Sequence, residues 1–215
     1  MEGFEFTIRA SELKLAMTEP RSKAEMFSET TLTWLREKVS YDFFGIKKEI
    51  ETNAMRKGIE CENEGINLYN SVNFTDFKKN EESFKKGFFT GTPDIISDDN
   101  VIDIKTSWSF DTFPIFLTEA EKIVKNSGYD WQLQQYMMLT GKRKAEVAFC
   151  FVTTPEHLLT QYDDRRLHDA DLIEESKRVT VVELNYSEEK EEKMYQRASL
   201  LEVEYFKLIE ELKRK

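Results

Sequence analysis

Residues 147–152, Val-Ala-Phe-Cys-Phe-Val, make the longest unbroken apolar run in the chain, rich in β-branched and aromatic residues. Continued to Thr153, it reads as a strand buried within a sheet, where no polar–apolar alternation is needed because both faces are covered. At six residues it is far short of the ~20 that a membrane span requires. A chain built on such a strand needs helices, and their patterns stand on both sides of it.

Ser11-Glu12-Leu13 opens a short helix that Pro20 closes, and Ser28 caps a second in which Leu32, Leu35 and Val39 recur at spacings of three and four. A third helical stretch runs from Lys57 to Tyr69, with Ile59, Ile66 and Tyr69 as its apolar stripe. Residues 72–78 then alternate as a strand does, through Val72, Phe74 and Phe77. Two β-rich runs follow, Phe88 to Ser97 and Val101 to Thr106, joined by the turn formers Asp98-Asp99-Asn100. Helices are expected at 117–126 and 129–140, one or two polar helices over 155–176, and a last strand from Arg178 to Leu184. A long amphipathic helix over 187–213 carries Met194, Ala198, Leu201, Tyr205, Leu208 and Leu212 on one side. The pattern predicts one α/β domain over 1–215: a helical N-terminal region (1–56), a core (57–154) and C-terminal helices with a strand (155–215).

Composition excludes several classes. Two cysteines, Cys61 and Cys150, cannot make a disulfide scaffold or a four-cysteine zinc or iron–sulfur site, and both read as small buried hydrophobes. MEGFEFTIRA carries acidic residues where a secretory signal would be basic, with no apolar core behind it, so a cytoplasmic protein is expected. A net charge of −10 argues against a generic nucleic-acid coat. It leaves room for an enzyme with a local basic groove, and catalytic carboxylates would themselves add negative charge. His157 and His168 lack the spacing of a zinc site and read as structural.

The segment GTPDIISDDNVIDIKTS, residues 91–107, is the most informative. Its hairpin places Asp94 near the end of one strand and Asp103 on the other. Asp103 and Lys105 share a face, while Ile104 points away. An ion held by Asp94 and Asp103 could also take the Ile104 carbonyl, a donor set that suits Mg²⁺. Alone, the same residues read as a turn aspartate and the solvated face of an edge strand; it is their company that overturns that reading. Upstream, KGIECENEGINLY (57–69) carries Glu62 on a helix after a glycine. Downstream, YDWQLQQYMMLTG (129–141) carries Gln132 and Tyr136 four apart on one helical face. Trp108 and Phe110 could stack on bases or simply pack.

In this order the motifs resemble the PD-(D/E)XK nuclease superfamily, and within it the YqaJ-type viral recombinase or lambda exonuclease family. The resemblance covers roughly residues 8–155. It implies a restriction-endonuclease-like core: a central mixed β-sheet flanked by helices, with the helical N-terminal region and long C-terminal helix as additions. By position, Glu62, Asp94 and Asp103 would be metal ligands with the Ile104 carbonyl, Lys105 the catalytic lysine, and Gln132 a support for substrate or the attacking water beside Tyr136. ASELKLAMTEPRSK (10–23) looks like the family's 5′-phosphate-binding region, which assigns Ser11 and Arg21 to that phosphate; Ser11 could equally be a plain helix cap, or both. The family's further phosphate-binding arginine falls on Phe4, with Arg9 as the nearest replacement. The resemblance implies a Mg²⁺-dependent exonuclease (Mn²⁺ as alternative) that degrades one strand of linear double-stranded DNA, 5′ to 3′. It also implies a single-strand annealing partner, a homo-oligomer in the form of a three-subunit ring, and a phage or prophage protein acting in a bacterial cell. A cluster-free endonuclease and a non-catalytic DNA-end or partner-binding module are the alternatives.

Overall fold

The computed structural model describes residues 3–46 and 51–214, so residues 1–2, 47–50 and 215 of the expected regions lie outside it. Strand β1 (Ile8–Arg9) runs into a 3₁₀ turn (Ala10–Glu12) and helix α1 (Leu13–Met17). Helix α2 (Glu29–Phe44) starts where Ser28 Oγ accepts from the Thr31 amide. That bond satisfies one of the donors every helix start leaves free. Helices α3 (Asn53–Glu60) and α4 (Glu62–Asn73) lead to β2 (Phe84–Lys86), β3 (Phe89–Gly91), β4 (Ile95–Ile96) and β5 (Asn100–Thr106). Helices α5 (Leu117–Ser127) and α6 (Tyr129–Thr140) carry the chain over to β6 (Lys144–Cys150), and β7 (Val179–Asn185) precedes α7 (Glu188–Lys213).

The strands form two mixed sheets. One is ordered β4-β5-β6-β7, antiparallel at both outer pairs and parallel between β5 and β6; the other is β1-β3-β2, with β1 parallel to β3. The expected central mixed sheet with flanking helices and a long C-terminal helix is therefore present. Alternation sorts β5 between two cores. Ile102 and Ile104 pack with Ile66, Leu68 and Tyr69 of α4, while Val101 faces Leu133 and Met137 of α6. Asp103 and Lys105 follow Val101 on the α6 side by the same period of two. A third core joins α1, α2 and the fully buried Met194, Ala198, Leu201, Tyr205 and Ile209 of α7. Gly65 lets α4 close on β5: a Cβ there would stand 2.8 Å from Ile104 Cγ2.

Several expected elements differ. The 57–69 helix breaks at Cys61 into α3 and α4, which leaves Ile59 exposed. Residues 72–78 are not a strand: α4 runs to Asn73, Phe74 adopts φ 57° and is 97% exposed, and Asn70 bonds Thr75 Oγ1 and both the N–H and carbonyl of Phe77. The 88–97 run splits at Thr92-Pro93-Asp94 between the two sheets. The apolar strand spans Lys144–Cys150, starting and ending three residues earlier than its composition indicates. Residues 155–176 form four 3₁₀ turns instead of α-helices. Asp164 and Asp169 each accept from the amide two residues on, a local bond that competes with helix propagation. Both cysteines are buried and free. Among the described residues no helix is long and apolar enough to cross a membrane.

Candidate active site

The β4–β5 hairpin supplies the centre. Its register pairs Ile96 with Val101 and Ile95 with Ile102, so one further step sets Asp94 opposite Asp103. Two like charges directly across a ladder repel, so such a pair does not serve the sheet's stability. Asp94 Oδ2 accepts the Ile104 N–H at 2.7 Å. In an extended strand the N–H and C=O of one residue share an edge, so the Ile104 carbonyl also looks toward Asp94. Burial first, then the Asp103 charge, push the Asp94 carboxyl up to about 7, with Glu62 adding to the rise.

Asp103 is 1% exposed. Gln132 Nε2 donates to its Oδ1 at 3.2 Å, and Lys105 Nζ stands 2.6 Å from Oδ2. That contact is a buried ion pair, so Asp103 is held at one oxygen by the Gln132 amide and at the other by the Lys105 ammonium. Burial works to lower the Lys105 ammonium, but the negative charges of Asp103 and Asp94 prevail and hold it above the usual lysine range. Its Nζ also lies 4.8 Å from the centre of the Tyr129 ring. The Gln132 amide donates in addition to Tyr136 Oη at 3.1 Å. Burial, then the Asp103 charge, raise the Tyr136 hydroxyl, which stays protonated. Gly91 admits that ring, because a Cβ there would meet Tyr136 Cε1 at 2.7 Å. Asp94, Asp103, Lys105, Gln132 and Tyr136 thus come together from the residue just before β4, from β5 and from α6.

Glu62 is the first residue of α4, where the helix dipole favours an acid. Its carboxylate is paired with Lys79 at 2.9 Å. Among the described residues no three carboxylate, cysteine or histidine side chains already form a cation cluster. Lys79 and its neighbour Asn80 carry no periodic or motif signal in the sequence, yet they link the site's parts. Asn80 donates its N–H to the Asp94 carbonyl at 2.7 Å and its side-chain amide to the Pro93 carbonyl at 2.9 Å. The short stretch 79–80 therefore ties Glu62 to Asp94.

Ser11 and Arg21 are both exposed, and no contact among the described residues joins them to this centre. Ser11 lies inside the 3₁₀ turn and caps nothing; Arg9 holds the cap position without a side-chain bond and pairs with Glu12 at 3.0 Å. Phe4 stacks on Phe43. Trp108 and Phe110 pack, on His168 and Phe151 respectively. His157 pairs with Glu60, and His168 is buried.

Fold and site together define an α/β protein with a carboxylate–lysine centre on a strand hairpin. The sequence matches no family model and no curated protein. Among solved structures, the chain is similar to a phage-related exonuclease from Haemophilus somnus 129PT at 30% identity and a TM-score of 0.92, over 97% of both chains. It shares the fold of the alkaline exonuclease LHK-Exo from Laribacter hongkongensis, at 17% identity and a TM-score of 0.67, over 97% of this chain and 92% of that one. LHK-Exo in complex with dAMP gives 18% identity and 0.64 over the same shares. The chain belongs to the phage-related exonuclease family.

Proposed function

We propose that the protein is a Mg²⁺-dependent deoxyribonuclease that removes one strand from the ends of linear double-stranded DNA, 5′ to 3′, in phage-type recombination. The observation that carries this reading is the buried Asp103 carboxylate, set opposite Asp94 and held by Lys105 and Gln132, in a member of the phage-related exonuclease family. Two facts support a divalent cation there: Asp94 and Asp103 face each other across the hairpin, and burial together with the Asp103 charge raises the Asp94 carboxyl, a cost that a bound cation would relieve. Asp94, Asp103 and the Ile104 carbonyl would hold it, and Glu62 would join by giving up Lys79. All are oxygen donors, which Mg²⁺ prefers and Mn²⁺ accepts. When bound, the ion would lower the pKa of water and polarise the phosphate.

The chain's own groups do the rest. Lys105 sets a positive charge where negative charge grows on the scissile phosphate. Gln132 fixes Asp103 and turns the Tyr136 hydroxyl toward the same space. Ser11 and Arg21 would take the 5′-phosphate, the guanidinium by paired bonds to its oxygens. Assembly as a three-subunit ring, a single-strand annealing partner and action in the host cytoplasm belong to the same proposal.

The test is digestion of linear duplex beside a closed circular plasmid, with Mg²⁺ and with chelator. Metal-dependent loss of one strand from the linear DNA alone supports the reading. Nicking of the circle would replace it with an endonuclease, and no cleavage with any metal would leave a DNA-end binding module.

A further inference from the structure

Lys57 lies on α3, outside the centre described above, and has no solvent exposure. Removing an ammonium from water is expensive unless its protons are well used. Among the described residues it makes no ion pair; it donates to two backbone carbonyls, Val152 at 2.7 Å and Trp108 at 3.0 Å. Its Nζ also stands 5.5 Å from the centre of the Phe151 ring. The Trp108 carbonyl is unusually well served. Thr154 Oγ1 donates to it at 2.9 Å, and His168 Nδ1 lies 3.2 Å away, also within reach of Thr154 Oγ1 at 3.1 Å. A carbonyl oxygen offers two lone pairs, yet three side chains from distant parts of the chain converge on this one.

What that oxygen controls is the exit of β5. The strand ends at Thr106, one residue past Lys105, and the Ser107 N–H donates to the Cys150 carbonyl at 3.0 Å. The chain then turns through Ser109, whose amide bonds Thr112 Oγ1. Trp108 is thus anchored two residues past the end of β5, and Lys105 is the last-but-one residue of that strand. His168 also presses edge-on against the Trp108 ring, at 4.9 Å between centroids. This gives the 155–176 segment a reason to fold back onto the core.

We propose that Lys57 is a positioning residue for Lys105: by gripping the Trp108 carbonyl together with Thr154 and His168, it fixes the end of β5 and so the aim of the catalytic lysine. This rests on the exonuclease reading, and its test separates the two. Lys57→Met keeps the length and apolar stem and removes the donors. The folded variant should lose about tenfold or more in kcat on linear duplex with KM within about twofold, since small misplacements of a catalytic group carry large rate losses. Amides of Ser107, Ser109, Thr112 and Phe113 should exchange with solvent faster, while the β6–β7 ladder keeps its protection. Wild-type turnover, or unchanged exchange at those four amides, would overturn the proposal. A merely structural lysine would lower Tm and leave kcat and the local exchange pattern alone, which also overturns it. Should Lys57→Met fail to fold, Thr154→Val removes a neighbouring donor with little change of volume. It should loosen the same amides and lower kcat by a smaller factor, and no change in either would overturn the proposal. If the wild-type protein cuts no DNA, the functional reading fails alone, and the exchange measurement still decides whether the grip exists.

Discussion

Asp94 Oδ2 accepts the backbone N–H of Ile104 at 2.7 Å, a bond that reaches across the hairpin just beyond the last β4–β5 pair. It holds one carboxylate against the strand that carries the other. The pair is kept in a place where burial, and then repulsion from Asp103, raise Asp94 to about 7.

The first consequence concerns pH. A carboxyl whose folded pKa lies above its unfolded value binds its proton more tightly when folded. Its contribution to stability is therefore full at pH below about 4 and is lost as pH rises through about 7. Asp94→Asn should raise the Tm of the metal-free protein at pH 8, by about 3 °C for each ~1 kcal/mol relieved in a chain of this size. The gain should vanish at pH 4. Wild-type affinity for Mg²⁺ or Mn²⁺ should rise as pH climbs through about 7, followed by calorimetric titration; a flat profile would contradict the role given to Asp94.

Glu62 is held by Lys79, and both are partly exposed, so the pair is worth about 0–1 kcal/mol. Lys79→Met should therefore tighten Mn²⁺ binding by up to about fivefold in the same titration. Weaker binding would show that Glu62 takes no part in holding the cation.

At Gly65, α4 lies close against β5. Gly65→Ala forces a methyl to within 2.8 Å of Ile104 Cγ2, and overpacking of this kind costs about 1–3 kcal/mol. Urea denaturation should show that loss. An unchanged midpoint would mean that α4 can withdraw freely, which the buried Ile66, Leu68 and Tyr69 argue against.

The elements with strong periodicity were legible in the sequence. Residues 129–140 are helical as the pattern indicates, and Gln132 and Tyr136 share a face because four residues make about one turn. Asp103 and Lys105 share a side of β5 by the period of two. What escaped depends on side chains that bond backbone locally or far away. Asn70 turns residues 75–77 back, and Asp164 and Asp169 close 3₁₀ turns where polarity reads as helix. Lys57 is hidden for a different cause: a lysine beside a glycine gives no sign that it lies in the core, bonded to carbonyls 51 and 95 residues away. Lys79 and Asn80 are likewise ordinary polar residues until the fold brings them between Glu62 and Asp94.

Arg21 is exposed, and its proposed partner is absent unless DNA is bound. Wild-type enzyme should digest 5′-phosphorylated ends faster than 5′-hydroxyl ends. Arg21→Ala should bring the two rates together by slowing the first, since a charge-assisted contact contributes about 1.5–3 kcal/mol. A preference that survives the substitution would remove Arg21, and with it the Ser11 assignment, from the phosphate site.

The most direct test of the centre itself is Asp103→Asn, which keeps the shape of the side chain and its contact with Gln132 while removing the charge. The measurement is the rate of strand loss from linear duplex at saturating Mg²⁺, with circular dichroism to verify folding. The expected result is a fall of about 10³-fold or more, equivalent to ~4 kcal/mol of lost transition-state stabilisation. A folded Asp103→Asn protein that degrades linear DNA within about tenfold of the wild-type rate, ~1.4 kcal/mol, would contradict the assignment of the reaction to this carboxylate–lysine centre.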